Sequence, residues 1–130
     1  MKRFIIPLIL MLSFPVAGVA GDKGVAETAE AFFTAIKAGD VDALRNMIEA
    51  PLSDQIDNLL TNNAAYPEYL RTRYRGASAE VGEITRFKKN EKQVDLVVTF
   101  PDGRVSLIEL TLSKRKSPQW KVTEQRKVIE

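Results

Sequence analysis

The chain has 130 residues, of which 45% are hydrophobic and 28% are charged, and it contains neither cysteine nor histidine. Apolar burial must therefore hold the fold together, because no disulfide can form. The lack of histidine also excludes sites built on an imidazole, which is the commonest metal ligand and the commonest general base.

The first twenty residues have the pattern of a secretory signal peptide. Two basic residues precede an apolar run from Phe4 to Val19, and small residues occupy the −3 and −1 positions of a cleavage site after Ala20. A membrane-spanning helix needs roughly 20 predominantly apolar residues, so an uncleaved anchor is the less favoured alternative. We expect an exported protein, periplasmic or secreted, with a signal peptide at 1–20, one domain at 21–130 and no stable membrane anchor after cleavage.

Charge is distributed unevenly along the expected mature chain. Lys2 and Arg3 account for the formal net charge of +2, and without them seventeen basic residues balance seventeen acidic ones. This neutrality argues against a nucleic-acid partner, which usually requires a basic surface. Residues 21–60 nevertheless have a net charge of −5 and residues 61–130 of +5. Either the two parts pack together so that their electric fields cancel, or the folded domain has an acidic side and a basic side that together orient a charged partner.

Apolar side chains at helical spacing predict a long first helix over residues 25–38. Gly39 suits the left-handed residue that ends a helix, and Asp40 can cap the helix that follows. The apolar face of this second helix continues to Ile48, and Pro51 is expected to end it.

Two further helices are predicted before the strands begin. Ser53 is expected to cap a short one, and Pro67 occupies a position typical of the first turn of the next. In that last helix Tyr66, Leu70 and Tyr74 are spaced four apart, so they should share one face.

Beyond Gly76 the apolar period changes to two, which predicts four antiparallel strands joined in a meander. The strands are expected over residues 79–88, 93–100, 104–112 and 119–127. An irregularity is expected near Gly82 in the first strand, and the sequence PDG at 101–103 predicts a hairpin turn. Helices followed by a meander define an α+β domain in which the helices cover one face of the sheet.

Two segments carry a family resemblance. AEAFFTAIKAGDVDALRNMI resembles the opening helix pair of the nuclear-transport-factor-like superfamily, which includes ketosteroid isomerases and SnoaL-like polyketide cyclases. VDLVVTFPDGRVSLIELTLSKRKSPQWKV is similar to the closing strands of its small exported members of unknown function. The resemblance implies a strongly curved four-stranded sheet, a cystatin-like or cone-shaped α+β barrel around the first helix, with a pocket at the wide end.

Enzymes of that superfamily place a carboxylate base inside the cone. The candidates here are Asp95 and Glu109, but each alternates with residues of the apolar strand face and should point away from it. We therefore predict no catalytic residue, no cofactor and no metal. The alternative is an isomerase-like or cyclase-like enzyme in which one of these acids is buried with a raised pKa.

Aromatic residues are the candidate ligand-binding groups, because they combine large apolar surfaces with polar atoms that orient a ligand. They are Phe33, Tyr66, Tyr69, Tyr74 and Trp120. The competing interpretation is that they simply pack the core. The sequence favours a non-catalytic binding domain for a small apolar or amphipathic ligand or a protein partner, and a homodimer through the sheet face is a further expectation. A periplasmic subunit of an envelope or secretion assembly is the other alternative.

A basic loop precedes the last predicted strand. Lys114, Arg115 and Lys116 follow one another in this loop. They serve solubility, or they contact an anionic membrane or an acidic partner.

Overall fold

The computed structural model describes residues 20–129, which form four helices followed by a four-stranded antiparallel sheet. The helices are α1 (Ala20–Ala38), α2 (Val41–Asn46), α3 (Leu52–Asn62) and α4 (Tyr66–Arg73). The strands are β1 (Ser78–Lys88), β2 (Glu91–Thr99), β3 (Val105–Ser113) and β4 (Lys121–Ile129), in the spatial order β1-β2-β3-β4. The predicted α+β class is confirmed. The predicted signal peptide lies outside the described residues, except for its last residue, Ala20.

The corner after α1 forms as the sequence predicts. Gly39 has φ of 66°, in the left-handed region, and its N–H donates to the carbonyl oxygen of Ile36 at 3.0 Å. Asp40 Oδ1 accepts a hydrogen bond from the N–H of Ala43 at 3.1 Å, which caps α2. The chain therefore turns sharply from α1 into α2, and Asp40 supplies acceptors for the N–H groups of Ala43 and Leu44.

The second helix is shorter than its apolar pattern predicts. α2 ends at Asn46, because the next residues pair with the start of β4. The N–H of Val122 donates to the carbonyl oxygen of Met47 at 2.8 Å, and the N–H of Glu49 donates to the carbonyl oxygen of Val122 at 3.0 Å. These bonds form a short parallel bridge between Ile48 and Val122 along the edge of the sheet.

The predicted capping role of Ser53 is wrong. The position before α3 is occupied by Pro51, and no side chain caps the helix. Ser53 lies inside the first turn, where its own N–H donates to the carbonyl oxygen of Glu49 at 3.1 Å. The helix therefore begins earlier than the capping pattern suggests.

One face of the sheet carries the core. In the central pair, Val94 lies opposite Leu110 and Leu96 lies opposite Ile108, and all four are buried. The same hydrophobic cluster includes the buried residues of α1, so the helices and the sheet share one core. No helix within residues 20–129 is long and apolar enough to cross a bilayer.

The predicted strong curvature of the sheet is wrong, because the sheet is open and is neither strongly curled nor closed. All nine residues of β2 pair with β3 in a continuous register. Register shifts occur only where β1 and β4 pair with these central strands. Bulges bend and twist a strand locally, and none interrupts the pairing of the two central strands.

Candidate functional site

A cavity of about 240 Å³ lies between the helical layer and the β3–β4 half of the sheet. Every helix contributes to its wall, as do both of these strands. The lining residues are Phe32, Ile36, Leu44, Ile56, Tyr66, Tyr69, Leu70, Arg73, Tyr74, Ile108, Gln125 and Lys127.

The inner wall of the cavity is apolar and its mouth is polar. Phe32 and Leu44 are each only 1% exposed, and the other aliphatic lining residues are also buried. Tyr69 is 52% exposed and marks the opening to solvent. Gln125 and Lys127 are exposed as well. A ligand in this cavity would therefore meet apolar surface inside and polar groups at the entrance.

The tyrosines of α4 lie where the sequence suggests. Tyr66, Leu70 and Tyr74 share the face that lines the cavity. The rings of Tyr66 and Tyr69 stack with their centroids 6.1 Å apart and their planes inclined by 18°. Burial raises the pKa of Tyr66, and the neighbouring Tyr74 and Tyr69 raise it further. The Tyr66 hydroxyl is therefore protonated at neutral pH and can donate a hydrogen bond.

Phe33 lies behind the cavity wall rather than in it. Its ring meets Tyr74 edge to face, with centroids 5.9 Å apart and an interplanar angle of 87°. The Tyr74 ring also stacks on Phe100, with centroids 5.9 Å apart. Phe33 thus fixes the position of a lining tyrosine but has no contact of its own with the cavity.

Trp120 belongs to a different groove, between the first half of α1 and the loop before β4. Gly24, Thr28, Met47 and Lys114 are among the residues that share this groove. The ammonium of Lys114 lies 5.4 Å from the centroid of the Trp120 ring. The structure therefore groups Tyr66, Tyr69 and Tyr74 in one cavity and places Phe33 and Trp120 elsewhere.

The polar residues at the mouth are absent from the set of candidates chosen on sequence. Arg73 follows Tyr66 by seven residues and Tyr69 by four. This helical spacing places Arg73 on the same face as the two tyrosines, so the sequence contained a signal for it. Gln125 and Lys127 reach the helical side of the sheet because the register shifts between Thr111 and Leu112. Strict alternation from the buried Val122 would turn them to the other side, so no sequence signal marks them.

The acidic candidates Asp95 and Glu109 lie on the opposite face of the sheet, as the alternation predicts. They face each other directly across β2 and β3. Glu109 Oε1 accepts a hydrogen bond from Arg126 Nη2 at 2.8 Å. Desolvation raises the pKa of Asp95, and the nearby charges of Glu109 and Glu83 add to the effect. Neither acid lines the cavity.

The charged residues of the described cavity lining are all basic. Among the described lining residues two are cationic, Arg73 and Lys127, and none is acidic. No cluster of three or more acidic side chains within residues 20–129 is placed to hold a metal ion. The arrangement can hold an apolar group inside and an anionic or hydrogen-bonding group at the mouth.

Neither models of known protein families nor curated proteins match this sequence. The structure shows an α+β domain of helices on a four-stranded antiparallel sheet, and no family is assigned to it.

Proposed function

We propose that the protein is an exported, non-catalytic binding domain whose cavity takes a small amphipathic molecule with an apolar body and an anionic head. The observation that carries this proposal is the combination of a buried apolar wall with a mouth at which two cationic side chains, Arg73 and Lys127, lie. Mostly apolar concave sites with a few convergent polar groups are typical of small-molecule binding.

The size of the cavity limits the ligand. An engineered apolar cavity of roughly 150 Å³ binds benzene, whereas pockets for drug-sized molecules begin at roughly 300 Å³. The volume of about 240 Å³ lies between these values. It suits a single substituted ring or a medium-length alkyl chain.

Arg73 is the best-placed group for the anionic head. Its guanidinium carbon lies 5.7 Å from the ring centroids of both Tyr74 and Phe100. Such cation–π contacts restrict the guanidinium, whose planar fork matches the two oxygens of a carboxylate. Lys127 adds positive charge at the same mouth, and the protonated Tyr66 hydroxyl adds a neutral donor.

The enzymatic alternative has less support. An isomerase-like or cyclase-like mechanism needs an acid or base beside the bound substrate. Asp95 and Glu109 face away from the cavity, so such a reaction would have to use the exposed face of the sheet.

A distant relationship to the nuclear-transport-factor-like superfamily stays a proposal. The order of elements, helices first and a four-stranded meander afterwards, supports it. The open sheet counts against it, because the resemblance implies a cone.

A protein partner or a homodimer is the second candidate for binding. It is favoured by Val105 and Val128, which are 48% and 43% exposed. If the protein is a subunit of an envelope or secretion assembly, the surface around Val105 and Val128 would contact the other subunits.

The proposal is tested by calorimetric titration of the protein, purified as the cell exports it, with octanoate and with 1-octanol. We expect saturable binding of octanoate. Arg73→Gln should weaken octanoate binding by about tenfold or more, because a hydrogen bond to a charged group contributes roughly 1.5–3 kcal/mol, and should change octanol binding little. Arg75→Gln is the matched control, since Arg75 is exposed and does not line the cavity. Undetectable octanoate binding, or equal effects of both variants, would contradict the proposal.

A further inference from the structure

One end of the sheet gathers positive charge from two separate turns. Lys88 and Lys89 come from the β1–β2 turn, and Lys114 and Lys116 come from the loop after β3. We call these four lysines the basic end. A backbone hydrogen bond joins the two turns, because the N–H of Lys114 donates to the carbonyl oxygen of Asn90 at 2.9 Å.

Acidic residues neutralise part of this charge. Glu91 Oε2 accepts from Arg115 Nη1 at 3.1 Å, and Glu49 and Glu124 line the same groove as Lys88 and Lys116. Lys88, Lys89 and Lys116 are exposed and form no ion pair with any residue between 20 and 129. The positive field of the basic end therefore reaches solvent.

Aromatic rings lie beside these lysines. Phe87 is 47% exposed, and the ammonium of Lys88 lies 5.2 Å from the centroid of its ring. Trp120 is half-buried, with the ammonium of Lys114 5.4 Å from its ring centroid. Aromatic rings next to long cationic side chains are typical of surfaces at the boundary between water and lipid. Phe87 in particular leaves nearly half of its side chain exposed to solvent.

The first turns of α1 lie beside the basic end. A side-chain carbon on Gly24 would lie 3.2 Å from Trp120 Cδ1, and Asp22 pairs with Lys92. In the sequence, the apolar run Phe4–Val19 directly precedes this helix. The start of α1, which follows this apolar run in the sequence, therefore lies at the same end of the domain as the basic end.

We propose that the basic end docks the domain on the surface of an anionic phospholipid bilayer. The lysines bind phosphate-bearing headgroups, and Phe87 and the exposed part of the Trp120 side chain enter the interfacial region. Each basic side chain near such a surface adds attraction that falls off within a Debye length, so the binding must weaken with salt. The inference is independent of what the cavity binds.

The test measures co-sedimentation of the exported protein with two kinds of vesicle, pure phosphatidylcholine and an equal mixture of phosphatidylcholine and phosphatidylglycerol. The readout is the ratio of the two partition coefficients, which cancels any contribution from a retained apolar segment. We expect a ratio of about ten or more at low salt that falls towards one at about 0.5 M salt.

Two charge-matched variants make the result specific. The basic end is neutralised by Lys88→Gln, Lys89→Gln, Lys114→Gln and Lys116→Gln. The control neutralises four cations elsewhere on the domain by Lys37→Gln, Arg45→Gln, Arg75→Gln and Arg104→Gln. The first variant should lower the ratio at least fivefold, and the second should leave it within twofold.

The proposal would be overturned by equal partition into both vesicles, by equal loss in both variants, or by a preference for the anionic vesicle that salt does not change. Retention on a polyanion such as heparin without any vesicle preference would also overturn it, since this would indicate a nucleic-acid-like or acidic protein partner. Unchanged melting temperatures confirm that both variants are folded. The salt dependence of the unmodified protein decides the question even if the quadruple variant does not fold.

Discussion

A side-chain carbon on Gly39 would lie 2.4 Å from the carbonyl oxygen of Pro67. The end of α1 is thus packed directly against the first turn of α4, the helix that carries Tyr66 and Tyr69 into the cavity wall. Because Gly39 also has φ of 66°, the corner depends on glycine for two separate reasons.

Gly39→Ala should lower the free energy of unfolding by about 2–4 kcal/mol, because left-handed strain adds to a steric clash with backbone. Gly103→Ala is the control: Gly103 has φ of 91°, but a side-chain carbon there would have no neighbour within 4 Å. It should cost only the strain, about 1–2 kcal/mol. Urea unfolding measures both changes, and equal losses would show that the contact with Pro67 is unimportant.

Asp95→Asn should increase the free energy of unfolding at neutral pH. Desolvation, Glu109 and Glu83 raise the pKa of Asp95 above its ordinary value of 3.8, so the folded chain binds this proton more tightly than the unfolded chain. The resulting stabilisation is present below that ordinary value and is lost as pH rises through the raised one. The advantage of the amide over the charged carboxylate should therefore shrink as pH falls from 7 to about 3.

Asp102→Asn provides a control of opposite sign. The backbone N–H and then the side chain of Arg104 lower the pKa of Asp102. Its contribution is present above the ordinary value and is lost as pH falls through the lowered one. This variant should be less stable than the unmodified protein at pH 7. If the two amide variants shift stability in the same direction across the pH range, the electrostatic account of these two acids is wrong.

Tyr66→Phe should reduce the loss of stability in alkali. Burial raises the pKa of Tyr66 above its ordinary value of 10.0. The unfolded chain therefore releases this proton first, and the folded state loses stability as pH rises through the raised value. The difference in unfolding free energy between the two proteins, measured at pH 8 and again at about pH 11, isolates this effect from other titrations. An identical pH dependence in both proteins would show that the hydroxyl is not desolvated.

Tyr69→Ala should weaken octanoate binding by about three- to tenfold, because it removes an aromatic contact at the cavity mouth. Leu59→Ala is the matched control, since Leu59 is also an exposed apolar residue on a helix, 44% exposed, but does not line the cavity. Leu59→Ala should alter stability by less than about 0.5 kcal/mol, whereas Tyr69→Ala should also lose the stacking on Tyr66, which contributes about 0.5–1.5 kcal/mol. The same calorimetric titration gives both affinities. A comparable loss in Leu59→Ala would place the ligand outside the cavity.

The sequence predicts those elements in which local pattern and tertiary packing agree. The apolar stripe of α1, the glycine at position 39 and the alternation in the central strands all reappear in the structure. The same alternation correctly places Asp95 and Glu109 on the outer face. In α1 and in the central strands, the apolar residues that set the sequence pattern are also the residues that pack the core.

Elements that depend on long-range pairing could not be predicted. Met47 and Ile48 continue a helical pattern, but hydrogen bonds to Val122 place them at the sheet edge instead. The register shift in β4 turns Gln125 and Lys127 towards the cavity, which no alternation rule anticipates. The curvature of the sheet depends on where the bulges fall, and the central pair has none.

The binding site itself could be predicted only in part. Helical spacing brings Tyr66, Tyr69 and Tyr74 together, since these residues lie on or next to one short helix. Whether Phe33 and Trp120 join them depends on how distant elements pack, and they do not line the same cavity.

The most direct test of the proposed function is a methyl NMR titration of the protein with octanoate. We predict saturable shifts of the methyl groups of Ile36, Ile56 and Ile108, which line the cavity from three different elements. The methyl groups of Val97 and Val105, on the other face of the sheet, should not move. Shifts at Val97 and Val105 with none at the three isoleucines would contradict the proposal that this cavity is the binding site.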